Sequence, residues 1–213
     1  MWAQIPDWLE AADKAVFILI NYTLHIAWLD GFMQLMRNPL TWVPLYIFVL
    51  YQVYKNNKGM LLPFLIISLF TFAITDYTSA SILKPLFQRL RPCHDPSLTN
   101  KINIIEDCGG QYSMPSSHAS NHFGLAMVWF WVILYLKGKR WNWVWFWAGI
   151  ICYAQVYTGK HFPLDIAAGA VLGIITGTCM AKLFEFWYVN RKKKFRVFLP
   201  RHYSEQNGQR KLT

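Results

Sequence analysis

The sequence predicts an all-α fold: an integral membrane helical bundle with five or six transmembrane helices, opened by an N-terminal amphipathic or short spanning segment. Three observations carry this. Only 15% of the 213 residues are charged while 54% are hydrophobic, against about a quarter charged in an average soluble domain. The apolar residues come in blocks of bilayer-spanning length instead of being spread at core spacing. Eleven Trp, eleven Tyr and fifteen Phe exceed what a small soluble core needs, and many stand at the ends of apolar runs, where amphipathic rings favour the lipid–water boundary. A disordered chain is excluded and a soluble enzyme is disfavoured. The formal net charge of +10 sits in short loops and at the tail, the pattern that orients a chain in a bilayer, so no nucleic-acid partner is expected.

The opening MWAQIPDWLEAADKAVF lacks a basic leader, an apolar stretch and a small-residue cleavage site, so no removable signal peptide is expected. Residues 15–36 are apolar but interrupted by Asn21, His25 and Asp30, each costly in hydrocarbon. That favours one or two interfacial amphipathic helices over a sixth span. Residues 38–54 form an aromatic-flanked apolar run followed by the polar turn YKNNKG, which predicts a short spanning helix. Residues 60–83 predict a second, whose far end carries Asp76, Thr78 and Ser79 and must be buried in protein or face water. Further helices are expected from His118 to Leu136, from Trp141 to Thr158 and over 162–188. The chain thus divides into N-terminal helices (1–37), a core (38–190) holding a long outer loop (84–117), and a basic tail (191–213).

Lys55, Lys58, Lys137, Lys139, Arg140 and the tail cluster Arg191, Lys192, Lys193, Lys194 and Arg196 fall on one side, which the positive-inside rule makes cytoplasmic. The connections 84–117 and 159–161 then face outward and hold most remaining polar residues. Cys93 and Cys108 both lie in the outer loop. A disulfide closing a loop of about fifteen residues is worth roughly 3 kcal/mol and persists in an oxidising compartment, with two free thiols as the alternative.

Three polar clusters interrupt the hydrophobic pattern, all on the outer side: LKPLFQRLRP with Lys84, Arg89 and Arg91; SMPSSHASNH with Ser116, Ser117 and His118; and TGKHFPLD with Lys160, His161 and Asp165. Permanent charge from Lys84 and Arg91, with backbone N–H groups at a helix start near Ser116, makes an anion site that suits phosphate. Interfacial snorkelling is the ordinary explanation for either cation standing alone. Two histidines and a carboxylate supply a nucleophile, a general acid and an orienting partner for phosphoryl transfer. His118 with His122, and His161 with Asp165, are four apart, so a metal site is the rival reading. Fixed cations nearby oppose it, and no metal or cofactor is expected. His122, His25, His202 and Asp76 are read as structural or exposed, and His94 as a loop residue able to approach the site.

These clusters resemble the signature of the type 2 phosphatidic acid phosphatase superfamily: Lys, six residues, Arg-Pro; then Pro-Ser-Gly-His; then Ser-Arg, five residues, His, three residues, Asp. Lys84, Arg91 and Pro92 fit the first part, Pro115, Ser116 and His118 the second, and His161 and Asp165 the third. The resemblance implies that His161 is the nucleophile forming a phosphohistidine, that Asp165 holds its ring, and that His118 protonates the leaving group and later activates water. Lys84, Arg91, Ser116 and Ser117 would bind phosphate oxygens without a metal.

Two departures stand out. Ser117 replaces the usual Gly, and Ala154-Gln155 replaces Ser-Arg, which puts a neutral amide where the family has a phosphate-binding cation. Lys160 or Arg89 is the candidate to restore the charge. The resemblance implies metal-independent hydrolysis of a membrane lipid phosphate or diphosphate at the periplasmic face of a bacterial inner membrane, with a cytoplasmic C-terminus. Undecaprenyl diphosphate, phosphatidylglycerol phosphate, phosphatidic acid and lipid A phosphates are the candidate substrates. The alternatives are a lipid phosphotransferase and a weakly catalytic lipid-phosphate-binding protein.

Overall fold

The computed structural model describes residues 5–198, with side chains described as far as Arg191. Among these every regular element is a helix, apart from one isolated bridge. Helix α1 (Asp7–Ile18) runs into a π-helical turn, Leu19–Thr23, and is followed by α2 (Asp30–Arg37) and α3 (Val43–Asn56). Helix α4 (Leu61–Tyr77) continues through a second π-helical turn, Thr78–Leu83, into the short α5 (Lys84–Phe87). Then come α6 (Ser117–Lys137), α7 (Trp143–Tyr157) and α8 (Pro163–Phe198).

Among the described residues, three helices are long and apolar enough to cross a membrane: Lys58–Phe87, Ser117–Lys137 and Pro163–Arg191. The N-terminal pair, Asp7–Thr23 and Ala27–Arg37, bends by 93° and adds a fourth if counted as one broken span. Helices form over both other expected spans, but α3 has 14 residues and α7 has 15. At 1.5 Å per residue these fall short of a hydrocarbon core of about 30 Å. Two boundaries differ from expectation. The outer connection starts at Gln88, because Lys84 is still helical and the chain leaves the helix through the left-handed Gln88 (φ 50°). Helix α8 does not stop before the basic cluster but continues through Lys192–Lys194 to Phe198. Charge ends a hydrophobic run without ending a helix, and Lys and Arg are good helix formers. Residues 199–213 of the expected tail lie outside the described residues.

Local chemistry sets the two helix starts that matter. The Ser116 hydroxyl caps α6 by accepting from the Ala119 N–H at 3.4 Å, and Gly138, left-handed at φ 68°, ends it. Pro163, with no N–H to leave unpaired, opens α8. The two helices form the closest seam of the bundle, along a stripe of Gly169, Gly173 and Gly177. A Cβ on these would lie 2.4 Å from the Ser116 carbonyl oxygen, 2.3 Å from that of Ser120 and 2.5 Å from that of Gly124. Only glycine permits this approach.

Below the seam, Val53, Phe64, Val132, Ile151 and Phe184 build the main core, with Trp129 stacked on Trp147 at 4.8 Å. These two indoles are buried in the bundle and do not sit at its rim. The polar residues that interrupt the N-terminal segment are satisfied by protein. The Asn21 amide donates to the Asn103 and Tyr157 carbonyls, and His25 and the Tyr157 hydroxyl both meet Asp30 at 2.9 Å. The bent N-terminal pair is thereby pinned to the end of α7 and to the outer connection.

The seam gives a stability test. Gly173→Leu forces a side chain onto the Ser120 carbonyl and is expected to cost about 1–3 kcal/mol or more, read as a lower melting temperature in detergent. Gly149→Ala, where a Cβ meets nothing within 4 Å, is expected to leave the melting temperature unchanged or slightly raised.

Candidate active site

Backbone hydrogen bonds lash the three polar clusters together. The Ser116 N–H donates to the Asp165 carbonyl at 3.0 Å, joining the start of α6 to the start of α8. The Arg91 N–H donates to Gln111 O at 3.1 Å and the Ser113 N–H to Arg89 O at 2.8 Å, around the bridge between Leu90 and Tyr112. Arg91 Nη1 reaches the Lys160 carbonyl at 3.3 Å. A disulfide joins Cys93 to Cys108, whose Cα atoms are 6.1 Å apart, and closes the outer loop.

His161 lies in the turn between α7 and α8. The N–H groups of Lys160 and His161 both donate to the Gln155 carbonyl, and Gly159 turns the chain at φ 80°. Pulled back in this way, the His161 side chain is buried, with Asp165 fully buried one turn later. Asp165 Oδ2 accepts from the Phe162 N–H at 2.8 Å and Oδ1 from Arg89 at 2.8 Å. His161 Nδ1 is 3.6 Å from Oδ2 and has no hydrogen-bond partner among the described residues. The carboxylate faces the ring at a distance just beyond hydrogen bonding. Burial pushes His161 down to about 4, against the opposing pull of Asp165, so the ring is neutral near pH 7 and one nitrogen lone pair is available.

His118 stands at the second residue of α6, half-buried, and opens onto a polar cavity of about 530 Å3 lined also by Gln34, Arg37, Asn38 and Glu106. His122 lies one turn below, its Nδ1 hydrogen-bonded to the His118 carbonyl at 2.8 Å and its ring edge-on to Trp147. That is the structural role expected of it. Asp76 accepts from Asn121, also as expected. His25 is structural, His94 is exposed, and His202 lies outside the described residues. Among the described residues one group has metal-ligand spacing, Cys93, His94 and Cys108 in the outer loop, and the disulfide occupies two of its three.

Several expected phosphate ligands have other work. Ser116 is completely buried, its hydroxyl capping α6 and its N–H spent on Asp165. It ties two motifs together, and its N–H is already engaged. The helix-start donors left to α6 are the N–H groups of Ser117 and His118, while the Ser117 hydroxyl accepts from Ser79 at 2.8 Å. Arg89 cannot replace the missing third-motif cation. Its two nitrogens bind Asp165 at 2.8 Å and Asp13 at 2.5 Å, and its guanidinium stacks 4.2 Å from the Phe162 ring centre. Arg91 is half-buried with an unpartnered Nε, and burial lowers its ordinarily high value. The Lys160 ammonium is 3.8 Å from Glu106. Lys84 is half-buried at the end of the α4–α5 rod. The sequence reading missed Asp13, Arg37 and Glu106, which lie in no motif.

Residues 62–189 match the family model of the PAP2 superfamily. The chain is 32% identical over 172 residues to a lipid A 4'-phosphatase of Bacteroides thetaiotaomicron, covering 78% of this chain and 74% of that protein. It is 31% identical over 163 residues to an undecaprenyl-diphosphatase of Sulfolobus acidocaldarius, covering 74% and 71%. Among solved structures it resembles a transmembrane PAP2-type phosphatidylglycerolphosphate phosphatase from Bacillus subtilis, with a TM-score of 0.65 and 18% identity over 84% of this chain and 87% of that one.

Two outcomes are expected from this geometry. Arg89→Met leaves two buried carboxylates uncompensated and should cost about 3–5 kcal/mol, measured by thermal unfolding in detergent. In micelles, the 15N resonances of His161, assigned by their loss in His161→Asn, should stay in the neutral form from pH 8 down to about 5. A folded value below the free-ring 6.5 also means that this histidine's contribution to stability is complete above pH 6.5 and is lost as the pH falls toward 4, because the unfolded chain takes up the proton first.

Proposed function

The chain belongs to the PAP2 superfamily, and on that premise we propose that it is a membrane lipid phosphatase working through a phosphohistidine on His161. The observation that carries the reading is the buried, neutral His161 facing Asp165 one turn along, beside Arg91 and with His118 on the neighbouring helix. With its Nδ1 proton directed at Asp165, the ring presents the Nε2 lone pair to phosphorus. The N–P bond forms as the P–O bond to the lipid breaks, and the leaving oxygen takes a proton from His118. Water then attacks phosphorus, its proton returns to His118, and the N–P bond opens to release inorganic phosphate. Arg91, Lys84 and the Ser117 and His118 N–H groups stabilise the charge that builds on the non-bridging oxygens. Closing the 3.6 Å gap between His161 and Asp165 belongs to the phosphorylated state, when the ring becomes cationic.

Two cavities meet at Pro39 and support a particular substrate shape. The polar one contains His118, where the leaving group must sit. The other, about 360 Å3, is apolar and lined by Tyr46, Phe64, Leu65, Phe72, Leu125 and Trp129. A hydroxylated headgroup in the first with a hydrocarbon chain in the second suits a lipid A phosphate or a glycerol-based lipid phosphate better than a bare polyprenyl diphosphate. The basic residues Lys58, Lys137 and Arg191 lie at the far end, where Arg191 bonds the Gly59 carbonyl. The positive-inside rule then gives a periplasmic site in a bacterial inner membrane.

Purified protein in detergent is expected to release phosphate from lipid A 4'-phosphate faster than from undecaprenyl diphosphate, in the presence of excess chelator. His161→Ala should lower the rate at least about 10^3-fold. Loss of release on chelation would replace this mechanism with a metal-dependent one. Silence towards every candidate lipid would leave a binding role, and a phosphorylated lipid product would indicate phosphotransfer.

A further inference from the structure

Gln155 leaves the third motif without its arginine, yet the turn of α7 that carries it is covered. Helix α2 lies across that turn: buried Met33 forms one cluster with Ala154 and Tyr157, bordered by Met36. Arg37 follows Met33 by four residues, one helical turn along the same face. It ends α2, where the helix dipole favours a cation.

Three relations place Arg37 at the site. It shares the polar cavity with His118. It is paired with Glu106, whose carboxylate also lies 3.8 Å from the Lys160 ammonium, while Arg91 binds the Lys160 carbonyl. Burial first, then the charges of Arg37 and Arg91, hold the Lys160 ammonium below its ordinary value, as expected where three cations crowd together.

The unpaired atoms point the same way. Arg37 Nε, Arg91 Nε and Gln155 Nε2 are buried and have no hydrogen-bond partner among the described residues. The Gln155 residue is 1% exposed. Buried donors are normally satisfied, and the two arginines that leave one each, Arg37 and Arg91, both act on Lys160, next to His161, which suits an incoming anion. Phosphate has the oxygens to accept from all three and the planar fork of arginine suits it. Of the two cations considered from the sequence, Arg89 is committed to Asp13 and Asp165, and Lys160 shares Glu106 with Arg37.

We propose that Arg37 is a substrate-phosphate ligand supplying the positive charge that Gln155 does not, with Glu106 as the internal carboxylate that the phosphate displaces. The assignment rests on the phosphatase reading of the site. It places an essential part of the phosphate cradle in the N-terminal segment, outside the 62–189 stretch that matches the family model.

The test uses the full chain in detergent, with inorganic phosphate as the binding probe and lipid A 4'-phosphate as the turnover probe. Arg37→Ala is expected to weaken phosphate about tenfold or more and to lower kcat/KM at least as much. Glu106→Gln should tighten phosphate several-fold, because the competing charge is gone. Gln155→Arg placed in the Arg37→Ala background should recover affinity, which a merely structural loss of Arg37 would not allow. Parental affinity in Arg37→Ala overturns the proposal, as does failure of Gln155→Arg to recover any affinity in a protein that melts like the parent. Should Arg37→Ala fail to fold, Glu106→Gln decides, and unchanged or weaker phosphate binding there overturns it. Phosphate binding that depends on Arg37 without turnover of any lipid phosphate would refute the phosphatase reading and uphold the ligand. Turnover that ignores Arg37 would do the reverse.

Discussion

Where α6 crosses α8, the backbone of Gly169, Gly173 and Gly177 lies against the Ser116, Ser120 and Gly124 carbonyls with no room for a methyl group. In a bilayer there is no hydrophobic gain from pressing two apolar helices together, so association depends on close van der Waals packing and short polar contacts along the seam. The candidate catalytic groups depend on that seam because each sits within a few residues of its upper end. His118 is the second residue of α6, and Asp165 is the third of α8. The hydrogen bond from the Ser116 N–H to the Asp165 carbonyl closes the top of the same interface. A looser seam would separate the histidine on α6 from the one before α8 without breaking either helix.

Asp165 is the second constraint, since a fully buried carboxylate must be compensated where it stands. Arg89 takes one oxygen and the Phe162 N–H the other, leaving the ring of His161 in reach but not yet bonded. Arg89 is itself held by Asp13, whose other oxygen accepts from the Leu164 N–H. Helix α1 is therefore fastened to both the loop that carries Arg89 and the first turn of α8. Within one short stretch the two arginines divide their tasks: Arg89 balances buried carboxylates, while Arg91 keeps an unpaired Nε beside the Lys160 turn. The two are not interchangeable: Asp13 and Asp165 bond Arg89 directly, whereas the Arg91 side chain bonds the Lys160 carbonyl.

The long helices and the motif histidines were legible because their signals are local: apolar blocks for α4, α6 and α8, and fixed spacing from His161 to Asp165. The division of labour between Arg89 and Arg91 was not, since it is set by Asp13, 76 residues away. Asn21 looked expensive for the same reason: its partners are Asn103 and Tyr157, and only folding brings them near. Trp129 and Trp147 stack in the core, which the aromatic count could not foretell, because composition records how many aromatics exist and not which face of a helix carries them. Ser116 illustrates a subtler limit. A place in a motif does not say where the N–H points, and here the Asp165 carbonyl takes it.

Residues common to a reaction cannot by themselves distinguish the lipids that undergo it. Relatives acting on lipid A and on undecaprenyl diphosphate both match most of this chain, so whatever separates their substrates must touch the leaving group and not the phosphorus. Here the walls beyond His118 come from Gln34, Asn38 and Glu106, which belong to no motif. Gln34 lies in the N-terminal segment and donates to the Ile105 carbonyl, next to Glu106. The roof of the polar cavity is thus a joint between α2 and the disulfide-closed loop. A headgroup entering there must replace the pairing of Glu106 with Arg37 and Lys160. On the proposed phosphatase reading, an uncharged leaving group brings no charge to do so, whereas its phosphate does, and recognition of the headgroup is coupled to delivery of the phosphorus at His161.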